Sequence, residues 1–257
     1  MKPRVGIYGL TGCAGDQLMI LNCEDKLLKI FGVSDIRSFL MAKSDNEDRE
    51  LDIAFVEGSV STDEDEKHLK VIRKNTKLLV AIGTCACFGG IQASLNHKDD
   101  FLKRLKKVYG TTKFSVAKPL QAKSLDEVAK VDYYITGCPI EKEEFLKALT
   151  QLINLSSPEL YKFSVCTECK WRENECLLLE GKICLGPITR AGCGASCPSH
   201  NLPCYGCRGL VDEANIASEV DLLKEKDYKE EDILRRVRTF GGVKAMKILK
   251  EILGGKV

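Results

Sequence analysis

Four short apolar segments, each ending at or next to a glycine, dominate the first 150 residues of the chain. They occupy residues 4–10, 52–58, 77–83 and 131–137. Continuous apolar runs of this length are typical of strands buried in a parallel sheet. Helical patterns of polar and apolar residues accompany them, at 16–31, 62–75, 99–109 and 142–153. The alternation predicts an α/β fold with a flavodoxin-like, doubly wound parallel sheet.

The regular period disappears from about Ser156 to Gly209, where cysteine, glycine and proline interrupt the chain. Such a segment is typical of a small, irregular domain that is organised by its ligands rather than by a large apolar core. Beyond residue 210 the pattern returns to amphipathic helices. The sequence therefore predicts two domains, residues 1–155 and residues 156–257, the second containing C-terminal helices.

Composition narrows the class of protein. Apolar residues make up 44% of the 257 residues and charged residues 30%, which is typical of a globular chain. The net charge of +2 gives no reason to expect nucleic acid or an anionic membrane surface as a partner. We find no apolar run of the roughly 18 residues needed to span a bilayer, and no secretory or twin-arginine signal at the start. We expect a cytoplasmic protein without a membrane span.

The 13 cysteines are unusual, and eight of them lie between Cys166 and Cys207. In a reducing compartment, clustered cysteines more often bind metal or perform redox chemistry than form disulfides. The pairs Cys166/Cys169 and Cys204/Cys207 have the two-residue spacing that suits a shared metal centre. Zinc and an iron–sulfur cluster would both accept these thiolates, so spacing alone leaves both open.

Three further cysteines follow predicted strands: Cys13, Cys85 and Cys138. The carboxyl ends of parallel strands meet at one edge of the sheet, so we expect these three to converge on one crevice. A structural zinc would gain little from occupying a functional crevice. Three metal centres in series instead suggest a path for electrons.

The stretches GTCACFGG, GCPI, CLGPITRAGCGASCP and PCYGCRG, in this order, resemble the small, electron-transferring subunit of [NiFe] hydrogenases. The cytoplasmic type, found in sulfhydrogenase delta subunits and methanogen hydrogenases, is the most similar. The resemblance covers residues 3 to about 210. It implies a flavodoxin-like domain with a proximal cluster, then a domain with a medial and a distal cluster.

The resemblance also implies three ligand sets, each holding a [4Fe-4S] cluster. Periplasmic relatives usually have histidine at the position of Cys166 and commonly lack a ligand at that of Cys197, and they hold a three-iron medial cluster. The implied sets are Cys13, Asp16, Cys85 and Cys138 (proximal); Cys193, Cys197, Cys204 and Cys207 (medial); and Cys166, Cys169, Cys176 and Cys184 (distal).

Asp16 stands where the family usually has its second proximal cysteine. The stretch GLTGCAGDQ matches neither the dinucleotide fingerprint nor the P-loop, so a phosphate-binding turn is disfavoured. A carboxylate can bind iron, and the first turn of a helix favours negative charge. We expect Asp16 to be the fourth ligand, although a defective three-cysteine site is the alternative.

Three other residues near these motifs need an interpretation. Glu57 follows the second predicted strand and is either a solvated strand-end acid or a residue of the subunit interface or a proton relay. Cys23 is expected to pack against the sheet as a small apolar side chain. Cys87 is an alternative to Cys85 as a ligand, but we disfavour it because the two positions are expected to face differently.

The function expected from the resemblance is one-electron relay in a cytoplasmic [NiFe] hydrogenase. A separate large subunit would hold the nickel–iron site, so this chain is expected to have no catalytic residue of its own. Its other partner would be an iron–sulfur or flavin subunit, the latter linked to NAD(P). The alternative is an iron–sulfur subunit of a complex I-like quinone or heterodisulfide-linked oxidoreductase, but the adjacent early cysteines of the complex I type are absent here.

Overall fold

The computed structural model describes residues 2–96 and 100–252. In these ranges five strands form a parallel sheet, and two form a small antiparallel pair. The sheet order is β2-β1-β3-β5-β7, with β4 paired to β6. The strands are β1 (Arg4–Gly9), β2 (Asp35–Phe39), β3 (Leu51–Glu57), β4 (Val60–Thr62), β5 (Thr76–Ile82), β6 (Pro119–Lys123) and β7 (Tyr133–Ile135).

If the strands of the parallel sheet are counted along the chain, their spatial order is second, first, third, fourth and fifth. This is the flavodoxin order, so the predicted fold class is confirmed. In such a sheet, ligands bind beyond the carboxyl ends of the strands, at the point where the strand order reverses. Here that point lies between β1 and β3.

Helices cover the sheet and build most of the C-terminal part. None of those in the described ranges is long and apolar enough to cross a membrane. They are α1 (Gly15–Leu21), α2 (Asp25–Val33), α3 (Asp63–Asn75), α4 (Gly83–Phe88), α5 (Phe101–Tyr109), α6 (Lys142–Ile153), α7 (Val165–Trp171), α8 (Ser196–Ser199), α9 (Ile216–Glu225) and α10 (Glu230–Ile252).

Several boundaries differ from the sequence prediction. The single helix predicted over 16–31 is two helices, because Glu24 adopts a positive φ of 48° and breaks the chain direction. Strand β2 is absent from the sequence prediction, since the segment DIRSF is too polar to resemble a buried strand. Helix α10 bends at Gly242, whose φ of 52° is readily accessible to glycine. Residue 99 of one predicted helix and residues 253–257 of the predicted second domain lie outside the described ranges.

The core has separate parts on the two faces of the sheet and in the C-terminal region. Val5, Ile53 and Phe55 face α1 and α6, whereas the neighbouring positions Ala54 and Val56 face α3. This alternation is the ordinary two-residue period of a strand. A third group of buried apolar residues is drawn from residues 165–245. The packing leaves the carboxyl ends of the strands to polar side chains and cysteines.

Candidate metal centres

Three cysteines lie at the carboxyl ends of strands, as predicted. Cys13 follows β1, Cys85 lies in α4 directly after β5, and Cys138 follows β7. Cys138 reaches the surface, but the protein around its sulfur disfavours the thiolate and raises the pKa of the thiol to about 12; negative charge on Cys207, Cys85, Asp16 and Cys13 adds to the effect. A Cβ on Gly15 would lie 3.2 Å from Sγ of Cys13 and 3.8 Å from Cβ of Pro139, so the segment after β1 lies close to the segment that carries Cys138.

Asp16 lies in the first turn of α1 and is buried. Its Oδ1 accepts a hydrogen bond of 2.8 Å from the backbone N–H of Ile140, which lies two residues after Cys138. A Cβ on Gly83 would come within 1.8 Å of Oδ2, so the end of β5 can approach the carboxylate only because glycine stands there. Burial and the nearby charge of Glu57 raise the pKa of Asp16 to about 7. The carboxyl group therefore lies between the segments that carry Cys85 and Cys138.

Glu57 ends β3 and is only 2% exposed, so the interpretation as a solvated acid is wrong. Its Oε2 accepts a hydrogen bond of 3.0 Å from the backbone N–H of Gln17. That N–H belongs to the first turn of α1, where such groups have no partner inside the helix. Glu57 therefore holds the start of α1 in place next to Asp16, and a role at a subunit interface or in a proton relay stays a prediction.

A second group of cysteines forms around Cys207. Burial raises the pKa of its thiol to about 11; negative charge on Cys193 and Cys197 also raises it. The hydroxyl of Thr84, the residue before Cys85, donates to the carbonyl of Cys207. The second group therefore contacts the strand-end crevice directly.

A third group forms around Cys166, which lies with Cys169 on α7. Burial raises the pKa of the Cys166 thiol to about 12, and Cys184, Cys169 and Cys176 add to the effect. The backbone N–H of Cys204 lies 3.2 Å from Sγ of Cys184 and donates to it. This bond joins the third group to the second.

At each of the three groups, the residues present have the chemistry that an iron–sulfur cluster needs. Thiolates are the ligands that such clusters use, and each group collects at least three thiols. Glycines keep space open beside the sulfurs: a Cβ on Gly90 would lie 2.6 Å from Sγ of Cys85, and one on Gly186 would lie 3.2 Å from Sγ of Cys166. In the described ranges, no group of three or more histidine, cysteine or acidic side chains is placed so that it could hold a single metal ion.

Glu168 is a buried acid that sequence reasoning missed. It lies inside the motif CTEC on α7, and its carboxylate accepts bonds of 2.9 Å from the N–H of Gly192 and 3.3 Å from that of Ala195. These two amides flank Cys193. The acid therefore fixes the loop of the second group from the helix of the third, and its place between two cysteines was the available signal.

Arg208, the residue after Cys207, was also missed, although it is only 1% exposed. Its guanidinium donates to the carbonyls of Thr136 and Ala191, each at 2.8 Å, and pairs with Glu144 on α6. Thr136 lies two residues before the strand-end Cys138, and Ala191 lies two residues before Cys193. Arg208 therefore ties the sheet domain to the cysteine-rich segment.

The two remaining cysteines are buried, and each sulfur lies against a backbone carbonyl oxygen. Sγ of Cys87 lies 3.6 Å from the carbonyl oxygen of Ala81, and Sγ of Cys23 lies 3.5 Å from that of Met19. Cys85 and Cys87 lie on the helix α4 rather than on a strand, so they face differently because of the helical turn. Both buried thiols pack as small apolar side chains.

Comparison with known proteins identifies relatives over most of the chain. Residues 13–152 match the protein family described as NADH ubiquinone oxidoreductase, 20 kDa subunit. The delta subunit of sulfhydrogenase 2 from Pyrococcus furiosus is 39% identical over 238 residues, which cover 92% of this chain and 98% of that protein. A subunit of the vhu F420-non-reducing hydrogenase from Methanocaldococcus jannaschii is 33% identical, covering 83% of this chain and 84% of that protein.

A solved hydrogenase structure is also similar to this chain. A chain of the NAD+-reducing [NiFe]-hydrogenase, in its H2-reduced state, superimposes with a TM-score of 0.56 and 26% identity. The match covers 62% of this chain and 95% of that chain. The shared fold is thus accompanied by sequence similarity.

Proposed function

This chain belongs to the family of the NADH ubiquinone oxidoreductase 20 kDa subunit, in its [NiFe] hydrogenase small-subunit type, and we propose that it relays electrons through three [4Fe-4S] clusters. It is thus a subunit of an oxidoreductase. Its relatives carry hydrogenase names, and the proposed role is to carry electrons between hydrogen chemistry elsewhere in the complex and an electron acceptor.

One observation carries this proposal: the three groups of cysteines form an unbroken series. The hydroxyl of Thr84, the residue before Cys85, donates to the carbonyl of Cys207, and the N–H of Cys204 donates to Sγ of Cys184. Each group is thus joined to the next by a hydrogen bond that involves a cysteine of the second group. Such a series supports stepwise transfer, whereas two isolated structural zinc sites would not require contact with the sheet domain.

We assign the ligands to the groups as the sequence motifs imply. When bound, a [4Fe-4S] cluster accepts and donates single electrons. The proximal set is Cys13, Asp16, Cys85 and Cys138; the medial set is Cys193, Cys197, Cys204 and Cys207; and the distal set is Cys166, Cys169, Cys176 and Cys184.

The remainder of the chain orients these ligands and sets their surroundings. Glu168 holds the backbone on either side of Cys193, and Arg208 places a buried positive charge near Cys193 and Cys207. Hydrogen bonds to the sulfurs, nearby charge and burial are the means by which a protein tunes a cluster's potential. The N–H of Cys204, which donates to Sγ of Cys184, provides one such hydrogen bond.

The proposed fourth proximal ligand is the carboxylate of Asp16. In its support, the carboxylate is buried beside Gly83 at the end of β5 and is fixed by the N–H of Ile140. Its raised pKa, about 7, means that iron must displace a proton that this buried group holds tightly. Binding at this set should therefore depend on pH in a range set by the carboxyl group.

We propose two partner classes for the complex. A large subunit with the nickel–iron site would cover the proximal crevice, where Cys13 and Cys138 are exposed. An iron–sulfur or flavin subunit, leading to NAD(P) or another acceptor, would receive electrons from the distal set. We also propose that the complex is cytoplasmic, and that the chain divides into domains at residues 1–155 and 156–257.

The family description also raises the complex I-like alternative. However, the match to that family ends at residue 152, and the eight cysteines between Cys166 and Cys207 lie beyond it. The Pyrococcus furiosus hydrogenase subunit matches over 92% of this chain, so its similarity extends into the cysteine-rich region. This difference in coverage favours the hydrogenase role.

The deciding experiment is iron and zinc quantification with electron paramagnetic resonance on the anaerobically purified native complex, poised from oxidised to fully reduced. About twelve irons in this subunit and three interacting reduced clusters are expected. Zinc in place of iron would overturn the proposal. About eight irons, or a three-iron signal in the oxidised state, would contradict the proposed ligand set at one centre.

A further inference from the structure

A cavity of about 310 Å³ lies where the sheet domain, the cysteine-rich segment and α10 meet. Its walls are mostly apolar, and its volume falls at the lower end of the range of small-molecule sites. None of the cysteines in the three proposed ligand sets lines it. Its apolar lining includes Phe88, Tyr134, Leu185, Ile188, Val237 and Ile248.

Two polar groups in the wall of this cavity are buried without a partner. They are the hydroxyl of Thr136, a residue only 4% exposed, and Nε of Arg190. In the described ranges, four buried side-chain polar atoms lack a partner, and two of them belong to this one cavity. Buried polar groups in proteins are nearly always hydrogen-bonded, and both of these can donate. A ligand with an acceptor oxygen would supply the kind of partner that both groups lack.

The charges around the cavity are already balanced. Arg190 pairs with Asp212 at 2.9 Å, and Lys244 pairs with Asp126 at 2.5 Å. A carboxylate ligand would thus bring an uncompensated negative charge into an apolar space, which is unfavourable. A neutral carbonyl oxygen would satisfy the donors without that penalty.

The lining also favours a flat ring. Phe88 and Tyr134 are both in the wall, with the ammonium group of Lys244 lying 5.6 Å and 5.4 Å from their ring centres. Aromatic side chains pack well against other aromatic rings, in offset or edge-to-face arrangements. We propose that this cavity is a binding site for a neutral aromatic carbonyl compound, with its carbonyl oxygen accepting from Thr136 and Arg190.

The site would lie close to the proposed electron path. Thr136 is two residues before Cys138, and Arg190 is three residues before Cys193. Gly206 and Gly209, which also line the cavity, lie on either side of Cys207. An occupant would therefore contact the backbone segments that carry the proximal and medial sets without touching the ligands themselves.

The test uses three probes of similar shape with the intact complex: 2-acetylnaphthalene, 2-ethylnaphthalene and 2-naphthoate. Binding is measured by isothermal titration calorimetry. We expect 2-acetylnaphthalene to bind most tightly, because 2-ethylnaphthalene lacks the acceptor and 2-naphthoate carries the charge. Equal or tighter binding of either of the other two, or no binding of 2-acetylnaphthalene, would overturn the proposal.

Variants locate the site. Thr136→Val removes the unpaired hydroxyl with little change of shape, and should weaken 2-acetylnaphthalene binding about two- to tenfold while leaving 2-ethylnaphthalene unaffected. Ala245→Phe should fill the cavity and abolish binding. Thr150→Val, at an exposed position on α6, is the matched control and should change nothing. Unchanged affinity in both cavity variants would place the binding elsewhere and refute the assignment.

The outcome is separable from that of the proposed function. Calorimetry of probe binding reports on the cavity alone, whereas metal analysis of the same preparation reports on the clusters. Circular dichroism of the Thr136→Val and Ala245→Phe variants shows whether each remains folded. A folded Thr136→Val variant that binds 2-acetylnaphthalene as tightly as the unaltered protein would by itself contradict the proposed hydrogen bond.

Discussion

Nη2 of Arg208 lies 2.7 Å from Oε1 and 2.6 Å from Oε2 of Glu144, and both side chains are almost completely buried. Glu144 belongs to the helix that follows the last strand of the sheet, whereas Arg208 follows the last cysteine. The ion pair thus joins the two parts of the chain at the point where the proposed proximal and medial sets meet. Burial lowers the pKa of Arg208, but Glu144 more than compensates, so the net effect is a raised pKa.

Breaking this pair on one side should be strongly destabilising. Glu144→Gln leaves the guanidinium buried without its counter-charge, and we expect the free energy of unfolding to fall by about 3–5 kcal/mol. The double variant Arg208→Met/Glu144→Leu should regain part of the loss. It should not regain all of it, because the carbonyls of Thr136 and Ala191 would lose their donor.

Urea denaturation of the assembled protein measures these changes. The matched control is Lys70→Gln, which removes an exposed pair with Glu66 at 2.6 Å and should change the free energy of unfolding very little, because water screens such a pair. If Glu144→Gln is no more destabilising than Lys70→Gln, the buried pair does not join the two parts of the chain as described.

Glu168 should determine how firmly the medial set is held. In Glu168→Ala, the amides of Gly192 and Ala195 lose their acceptor, which costs about 1–3 kcal/mol for each buried group. We expect the loop around Cys193 to loosen and the medial set to lose iron first, with a three-iron signal in the oxidised state. Metal analysis and electron paramagnetic resonance would detect this.

Two further variants sharpen that comparison. Glu168→Gln retains an oxygen acceptor, so it should keep more iron than Glu168→Ala does. Glu175→Ala changes an exposed acid of the same segment and should keep its full iron content. Equal iron retention in all three variants would show that the carboxylate of Glu168 does not position the loop.

Asp16→Cys tests the proposed carboxylate ligand. A thiolate donates more electron density to iron than a carboxylate does, so the reduction potential of the proximal centre should fall. The pH dependence of that potential should also weaken, because the carboxyl group with a pKa of about 7 has been removed. Redox titrations at pH values of about 6 and about 8, one unit either side of that pKa, provide the measurement. An unchanged potential and spectrum would argue against ligation by Asp16.

Glu219 predicts a pH dependence of stability. This acid is 4% exposed, its Oε1 has no partner, and burial raises its pKa to about 7 from 4.5. The folded protein therefore binds this proton more tightly than the unfolded chain does. Stability should fall as the pH rises from about 4.5 to about 7, with a total loss of about 3 kcal/mol.

The variant Glu219→Gln isolates this effect. It should be less sensitive to pH than the unaltered protein, and more stable at a pH of about 8 by about the amount that deprotonation costs. Urea midpoints of the two proteins at pH values of about 5 and about 8 provide the comparison. The same change in midpoint for both proteins would mean that Glu219 does not keep its proton in the folded state.

The fold was largely predictable because its central strands are continuous apolar runs. Helix α6 occupies the predicted range of 142–153 for a similar reason, since its apolar period is regular. Strand β2 escaped prediction because it lies at the sheet edge, where most of its residues are half-buried and the apolar signal is weak. The break at Glu24 escaped because neither glycine nor proline marks it.

The candidate site was likewise predictable only in part. Cysteine spacing indicated where thiols would gather, because a motif such as Cys166/Cys169 is local in sequence. Arg208 could not be found in this way, because it meets Glu144 across 64 positions. Glu168 stands between two cysteines, but its partner Gly192 lies 24 positions away. In the sequence, a buried charged residue such as Arg208 cannot be distinguished from a surface residue, because only the fold brings its partner close.

The cysteines at the strand ends differ from the others in how far apart they lie along the chain. In the proposed assignment, the proximal set extends from Cys13 to Cys138, whereas each of the other sets falls within a short segment. A growing chain emerges from the ribosome N-terminus first. Cys13 and Asp16 are therefore synthesised before β5 and β7 and before the cysteines that follow those strands. In that assignment, iron delivery to the proximal centre has to follow completion of the sheet, and an interrupted chain would leave Cys13 exposed without its partners.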